Sequence, residues 1–558
     1  MEYNILIGGE AGQGIETVSD IFEKTLNNMG YYVYSSKDYM SRVKGGHNFT
    51  QIRVGDSPIH SHWPYLDLII ALDEKTVNLH CDRLKANGWI LCDESIEIEN
   101  IHTAKIPLMS IAKSLGSPRM ANTVALGAAY KIFGLSYDKA IEHLNARFAN
   151  KFKEENIKAL KEGYEAVSQI FTMPQPSSEK NILINGNEAC ALGALAAGCA
   201  YYSAYPMTPS TTIMKFMARY AEKAGIFVDQ AEDEIAAINS AIGASYAGIR
   251  AMTGTSGGGF SLMVEALGLA GVTETPLVVA NVQRPGPATG LSTRTEQSDL
   301  LFVISAAQGE FPRMVIALRN TEDAFYQTAR AFNLAEKYQI PVILLSDEYL
   351  SDCKVTTKPY DFDKVTIERY LSDKPKHEGL FKRYELTSDG ISPRIYPSQY
   401  DNVFVLADSH EHDEYGHISE DIDIRNSMVE KRMKKLELLK EELIEPDYFG
   451  SEYPELLLIG WGSTYGPLYE AIRLLRENGI EAGALIFGDI WPLPQKKLLQ
   501  YCDKAKKIIN VEQNYTGQLA SLIAQQTGIR CHGSILKYDG RQMDSYFIYK
   551  AVKEGDYR

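Results

Sequence analysis

The sequence predicts an α/β protein built as three doubly wound parallel-sheet domains. Short apolar runs such as Ile5-Leu6-Ile7, Leu66 to Ala71 and Leu456 to Ile459 alternate with longer stretches of helical periodicity. That is the pattern of strands joined by crossover helices. Glycine-rich turns follow several of these runs, at Gly8 to Gly14, Gly254 to Gly258 and Gly460 to Gly462. The length of 558 residues suits about three or four domains at roughly 150 residues each.

Composition narrows the function classes. With 45% hydrophobic and 23% charged residues, the chain reads as an ordinary soluble globular protein, and we expect it in the cytoplasm. The net charge of −15 argues against a nucleic-acid partner, which favours a basic face. The seven cysteines, none in C-x-x-C spacing, suggest reduced thiols. They also argue against an iron–sulfur cluster held by this chain alone. The chain enters a strand at Tyr3, so no signal peptide is expected. No run reaches the about 20 apolar residues of a membrane span.

The first domain covers residues 1–172. Its strand Ile5 to Ile7 runs into the turn Gly8-Gly9-Glu10-Ala11-Gly12-Gln13-Gly14 and then a helix from Ile15 to about Met29. Further strands read at Tyr32 to Tyr34, Leu66 to Ala71 and Trp89 to Cys92. The turn places backbone N–H groups where a phosphate could bind. Its spacing is G-G-x-x-G-x-G and not the dinucleotide fingerprint, so NAD is not assigned, and a tight packing turn is the competing reading. Residues 173–181, Met-Pro-Gln-Pro-Ser-Ser-Glu-Lys-Asn, read as a linker.

The second domain, 182–356, predicts strands at its start, at Pro276 to Val282 and at Ile340 to Ser346, separated by Ala- and Gly-rich helices. From 357 to 450 the chain is charged and irregular, then helical from about Ile418 to Leu443. Ile418, Ile422, Met428, Met433, Leu436, Leu439 and Leu443 fall on one face, which we expect to lie across another domain. The segment His410-Glu411-His412-Asp413-Glu414 with His417 lacks H-E-x-x-H spacing, and consecutive residues cannot all face one ion. No metal site is assigned. The last domain, 451–558, alternates strands (Leu456 onward, Ala482 to Phe487, Ile508 to Glu512) with a helix from Gly466 to Asn478.

The most informative segment is Tyr205-Pro206-Met207-Thr208-Pro209-Ser210-Thr211. Each proline fixes its own φ and biases the residue before it toward extended geometry. The hydroxyls of Thr208, Ser210 and Thr211 thus sit on a stiff loop at a helix N-terminus, where backbone N–H groups attract anions. That arrangement suits a small carboxylate; an ordinary proline-bearing cap is the alternative. Glu232, Asp233 and Glu234 open the next Ala/Gly-rich helix. Taken alone they are first-turn acids of the kind that stabilise a helix N-terminus.

In order along the chain come this loop, Glu234-Ile235-Ala236-Ala237, Thr253 to Phe260, Asn281 to Gly290 and Thr293 to Asp299. Together they resemble the alpha subunit of the thiamine diphosphate-dependent 2-oxoacid:ferredoxin oxidoreductases. The family loop carries isoleucine where this chain has Met207, a volume-conserving swap. Gly8 to Glu16 and Ser41-Arg42-Val43-Lys44-Gly45-Gly46-His47 are similar to the family's separate gamma subunit. The last domain is similar to the C-terminal domain of transketolase-type enzymes. The whole chain therefore resembles a gamma–alpha fusion: a gamma-like Rossmann-type domain, a thiamine-enzyme pyrimidine-binding domain and a transketolase C-terminal-like domain.

The resemblance implies site roles. Glu234 would be the catalytic carboxylate that hydrogen-bonds N1′ of the thiamine aminopyrimidine. Tyr205, Pro206, Thr255, Ser256 and Gly257 would bind that cofactor. Thr208 would bind the substrate with an arginine, because a guanidinium fork matches a carboxylate; Arg294 is preferred and Arg284 is the runner-up. Gly12, Gly14 and Lys44 would serve the coenzyme A half-reaction, with coenzyme A as a substrate. The Gly-Asp-Gly…Asn motif that holds Mg²⁺ and diphosphate in thiamine enzymes does not occur here: Gly488-Asp489 is followed by Ile490, and Asp539-Gly540 lacks the preceding glycine. We therefore expect a site shared with a separate beta subunit that carries Mg²⁺, the diphosphate and a [4Fe–4S] cluster, ferredoxin as electron acceptor, and a dimer of heterodimers. Pyruvate, 2-oxoglutarate, branched-chain and aryl 2-oxoacids all fit the sequence. A non-redox transketolase-like enzyme subunit is the competing enzyme reading, which the gamma-like domain disfavours. A nucleotide-binding regulatory protein is the competing non-enzyme reading, which the absent Walker lysine disfavours.

Overall fold

The computed structural model describes residues 1–41, 45–99, 102–147, 152–375 and 377–558. Lys44 lies outside the described residues. The chain folds as two units: residues 1–185 with 352–359 and 544–546, and residues 186–351 with 360–543 and 547–558.

The strands of the first unit are β1 (Glu2–Glu10), β2 (Tyr32–Asp38), β3 (His47–Gly55), β4 (Leu66–Ala71), β5 (Leu84–Asp93), β6 (Thr103–Ile106) and β7 (Ile182–Ile184), with the later strand Lys354–Thr357. They form one sheet in the order β6-β5-β4-β1-β3-β2, Lys354–Thr357, β7. The half from β1 to β6 is parallel, as the apolar runs suggest. The other half is antiparallel, with Ile5 opposite Ile52 and Val33 opposite Val54. This departs from a purely parallel sheet because β3 is polar in sequence. Its buried Gln51 and Arg53 spend their donors on the carbonyls of Trp63 and Ser61, so hydrophobic alternation does not reveal it. The strand at 182–184, expected to open the second domain, instead completes this sheet. Lys354 ties its own strand to the helix Ile15–Asn28 through Asp20 at 2.6 Å and Glu23 at 2.9 Å.

Two helices of this unit touch backbone to backbone. A Cβ on Gly127, in the helix Ala121–Ile132, would lie 1.9 Å from Leu160 O, and one on Gly163, in the helix Lys153–Glu165, 1.9 Å from Val124 O. Each glycine thus admits the partner helix's carbonyl, and no larger residue fits.

The second unit opens with β8 (Tyr201–Ala204), β9 (Phe227–Gln230), β10 (Ala251–Thr255), β11 (Leu277–Gln283), β12 (Met314–Ala317) and β13 (Pro341–Asp347). The order is β12-β13-β11-β10-β8-β9, all parallel, with Asp489–Trp491 antiparallel at the β12 edge. A second sheet orders Asp447–Gly450, Ala482–Phe487, Leu456–Trp461, Lys507–Glu512 and Gly533–Leu536. A single buried cluster runs from Ile238, Phe260 and Val279 to Ile459, Trp461 and Phe487, so the two sheets share a core. Fully buried Glu512 accepts from Trp461 Nε1 (2.9 Å), Asn510 Nδ2 (2.8 Å), Asn514 Nδ2 (2.8 Å) and Leu519 N (2.8 Å). Its carboxylate is thereby fully satisfied within the core.

The connector helix spans Ile422–Glu441, capped by Asp421. Its buried face matches the expected one only in part, at Met428 and Leu439. Ile418 and Ile422 are exposed, and the buried residues are Met428, Lys431, Arg432, Lys435 and Leu439. Lys431 and Lys435 both pair with buried Glu274, and Arg432 pairs with Glu411. Charge complementarity inside the fold, invisible to a hydrophobicity pattern, chose the face. Glu411, from the histidine-bearing segment, also meets Arg425, while His412 bridges to Ile418. Among the described residues no group of three His, Cys, Asp or Glu side chains gathers as metal ligands. No helix among them is long and apolar enough to cross a membrane.

Candidate functional site

Doubly wound sheets bind ligands outside the carboxyl ends of their strands. In the second unit the loop 205–211 follows β8, Thr255 to Gly257 ends β10 and opens the helix Gly257–Val272, and Arg284 follows β11. All lie at that edge.

The structure separates the three acids. Glu232 is exposed. Asp233 is the N-cap of the helix Glu234–Tyr246, accepting from Ala236 N at 2.7 Å. Glu234 is buried, 3% exposed, and its Oε1 has no hydrogen-bond partner among the described residues. The floor beneath it is Gly259, where a Cβ would lie 2.5 Å from Glu234 Oε1 and 2.1 Å from Thr255 Oγ1. Thr255 Oγ1 in turn reaches Met207 Sδ at 3.8 Å. Ile235 is half exposed, so Gly259 and Thr255 are what stand beside the carboxylate.

The loop itself is fixed from several sides. The Thr208–Pro209 peptide is cis. Ser210 Oγ donates to Met207 O at 2.8 Å. Asn187 Nδ2 donates to Pro209 O at 2.9 Å and Thr212 Oγ1 at 2.6 Å. Arg284 Nη1 donates to Thr208 O at 2.6 Å, and burial holds its guanidinium below its ordinary pKa. Thr208 is half-buried and Tyr205 exposed. Arg294 is buried elsewhere along the same edge, donating to Thr293 O at 3.3 Å and packed where a Gly540 side chain would stand. The structure therefore places Glu234 and Thr255 on either side of Gly259, with Thr255 reaching Met207 and Arg284 holding Thr208. Gly12 and Gly14 lie in the first unit, both at positive φ.

Sequence reasoning gave no role to Asn281 or Asp299. Asn281 Nδ2 donates to Asp299 Oδ2 at 3.1 Å, and Asn281 Oδ1 is buried without a partner among the described residues. Burial pushes Asp299 up to about 6. A Cβ on Gly257 would lie 2.4 Å from Asp299 Oδ2. Ser256 caps the helix by backbone alone, and its buried Oγ is also unpartnered among the described residues. The signal in the sequence was a polar Asn281 within the apolar run Leu277 to Val282. Buried polar atoms normally find partners. Unpaired oxygens on Glu234, Ser256 and Asn281 at one sheet edge fit a bound ring that carries both donors and acceptors, as an aminopyrimidine does.

Fold and site suit a thiamine diphosphate-type enzyme, and comparison with known proteins gives that class. Family models described as pyruvate ferredoxin/flavodoxin oxidoreductase, its thiamine diphosphate-binding part, and pyruvate:ferredoxin oxidoreductase core domain II match residues 4–166, 192–431 and 454–546. A 2-oxoacid:ferredoxin oxidoreductase subunit alpha from Sulfolobus sp is 34% identical, covering 100% of this chain and 98% of that protein. The subunit alpha of Saccharolobus solfataricus is 32% identical, with coverages of 100% and 97%. A solved structure from Magnetococcus marinus, 2-oxoglutarate:ferredoxin oxidoreductase with 2-oxoglutarate, coenzyme A and succinyl-CoA bound, superposes with a TM-score of 0.93 at 32% identity over 99% of both chains. The chain belongs to the alpha subunits of the 2-oxoacid:ferredoxin oxidoreductases, thiamine diphosphate-binding oxidoreductases with a ferredoxin acceptor.

Proposed function

We propose that this chain is the gamma–alpha fused subunit of an enzyme that oxidatively decarboxylates a 2-oxoacid, with coenzyme A, to acyl-CoA and carbon dioxide, passing the electrons to ferredoxin. The observation that carries the reading is the buried, unpartnered Glu234 Oε1 enclosed by Thr255 and Gly259. When bound, thiamine diphosphate supplies the nucleophilic carbon that this chemistry needs. Glu234 would hold N1′ of its aminopyrimidine, Ser256 and Asn281 would orient the ring, and the loop 205–211 presents the Thr208 hydroxyl to the substrate. Arg284 fixes that loop. Arg294 takes the substrate carboxylate, where its fork gives a bidentate match.

Coenzyme A use is supported by the first unit's glycine-rich turn and by the coenzyme A bound in the Magnetococcus protein. Mg²⁺, the diphosphate contacts and the [4Fe–4S] cluster belong on a separate beta subunit, and the assembly is a cytoplasmic dimer of heterodimers. The test is reconstitution. The chain alone is expected to carry no stoichiometric iron and to leave a viologen dye oxidised in the presence of thiamine diphosphate, 2-oxoacid and coenzyme A. Together with a beta subunit bearing Gly-Asp-Gly and paired cysteines, it is expected to reduce the dye only when all three are present. Dye reduction by the lone chain overturns the shared site; reduction independent of coenzyme A overturns the acyl-CoA product.

A further inference from the structure

Two histidines meet in the first unit. His47 opens β3 opposite Glu10, and His80 closes the helix Glu74–His80. They are 6% and 7% exposed. Their Nε2 atoms lie 2.9 Å apart, so one donates and the other accepts. Arg83 Nη1 stands 3.2 Å from His80 Nδ1. A guanidinium only donates, so His80 Nδ1 accepts and its proton sits on Nε2. His80 Nε2–H then donates to His47 Nε2, and His47 carries its own proton on Nδ1. Burial and Arg83 hold His80 down to about 3, and burial lowers His47, so both rings are neutral near pH 7.

His47 Nδ1 is buried with no hydrogen-bond partner among the described residues. The contacts from Arg83 through His80 thus end in a fixed N–H donor without an acceptor. Such a buried group in a native fold marks a missing partner. The ring stands at the carboxyl end of β1: its Cε1 is 3.1 Å from where a Gly8 Cβ would be. Gly8 lies in β1 just before the turn that runs to Gly14, in which a Cβ on Gly12 would meet nothing within 4 Å. Ligands of such sheets bind at this edge.

Resting on the coenzyme A reading above, we propose that His47 donates its Nδ1–H to an oxygen of the phosphate-bearing part of coenzyme A, seated at the carboxyl end of β1. His80 and Arg83 are positioning residues that fix the donor tautomer.

The test uses the assembled enzyme and measures dissociation constants for coenzyme A, for pantetheine, which lacks the nucleotide and its phosphates, and for thiamine diphosphate. His47→Phe keeps the stacking on Phe49, 5.8 Å between centroids, and removes the donor. It is expected to weaken coenzyme A by about 10- to 100-fold, the size of a lost hydrogen bond to a charged group, with pantetheine and thiamine diphosphate unchanged. His47→Asn, whose amide nitrogen can stand in for Nδ1, is expected to recover most of the loss. Arg83→Met, which frees the tautomer, is expected to weaken coenzyme A less than His47→Phe. An unchanged coenzyme A constant in His47→Phe would leave the nitrogen to a buried water and overturn the proposal. So would an equal loss of pantetheine, which would mean general disruption. Failure of the wild-type enzyme to bind coenzyme A at all would overturn the functional reading itself, and the histidine proposal with it.

Discussion

Arg284 donates from Nη1 to the carbonyl oxygen of Thr208 at 2.6 Å. The contact ties the end of the central strand β11 to the loop after β8, and so sets where the Thr208 hydroxyl stands. A lysine's flexible ammonium does not hold the fixed position of this planar guanidinium. Arg284→Lys is expected to raise KM for the 2-oxoacid with little change in thiamine diphosphate affinity. Thr208→Val should lower kcat/KM by about 10- to 150-fold, the range for a hydrogen bond to a charged group. Arg294→Lys should also raise KM if its fork holds the carboxylate. Steady-state kinetics of the three variants separate the roles: an unchanged KM in Arg294→Lys moves the carboxylate to Arg284.

Glu234→Gln is expected to fold normally, since the amide keeps the shape of the buried carboxylate. Activity in the assembled enzyme should fall by about 10²- to 10⁴-fold, the contribution of a positioned acid–base group. Gly259→Ala reaches the same site from below, because its Cβ would meet Glu234 Oε1 at 2.5 Å. A comparable loss in Gly259→Ala with an unchanged circular dichroism spectrum would support displacement of the carboxylate. Near-wild-type turnover in Glu234→Gln sinks the assignment.

Glu274, Lys431 and Lys435 are 1%, 4% and 1% exposed. Lys431 Nζ lies 2.6 Å from Glu274 Oε1, and Lys435 pairs with Oε2. The flanking lysines and Arg383 hold Glu274 far below the usual carboxylate range, while burial lowers Lys435 to about 8. Glu274→Ala would strand two buried ammonium groups and should destabilise by about 3–5 kcal/mol. The triple change Glu274→Met, Lys431→Met, Lys435→Met should recover much of it, since an apolar replacement of a buried ion cluster is often neutral or better. Denaturant titration of the two proteins decides.

Asp347, 2% exposed, is pushed from its ordinary 3.8 to about 6 by burial, against hydrogen bonds from Ser463 and Leu350 N. The folded chain keeps this proton where the unfolded chain releases it. Stability therefore falls as pH rises from about 4 to 6, by up to about 3 kcal/mol at 1.36 kcal/mol per pH unit. Asp347→Asn should flatten this slope and raise Tm above pH 6, where the wild type holds a buried charge. Parallel Tm profiles from pH 4 to 7 in the two proteins would refute it.

Gly127→Ala should destabilise the first unit by about 1–3 kcal/mol or more, because its Cβ would sit 1.9 Å from Leu160 O. Ala128→Gly, on the same helix, removes a buried methyl instead of adding one and should cost about 1 kcal/mol, close to the helix-propensity difference. Thermal unfolding that ranks Ala128→Gly as the more damaging would show that the helices yield.

By itself the sequence determined the α/β class and the strands Leu277–Gln283 and Pro341–Asp347 to within a residue, and it marked the loop 205–211 and Glu234 as candidates. Each of these is written locally, in an apolar run, a proline, a glycine or a motif. Tertiary structure alone decided that β3 and Lys354–Thr357 run antiparallel in the first sheet, because pairing depends on partners far along the chain. It also turned the connector helix to present Lys431 and Lys435, since their counter-charge Glu274 is remote in sequence. And it gave Glu232, Asp233 and Glu234 separate fates, exposed, capping and buried, because burial is a property of what packs against a residue.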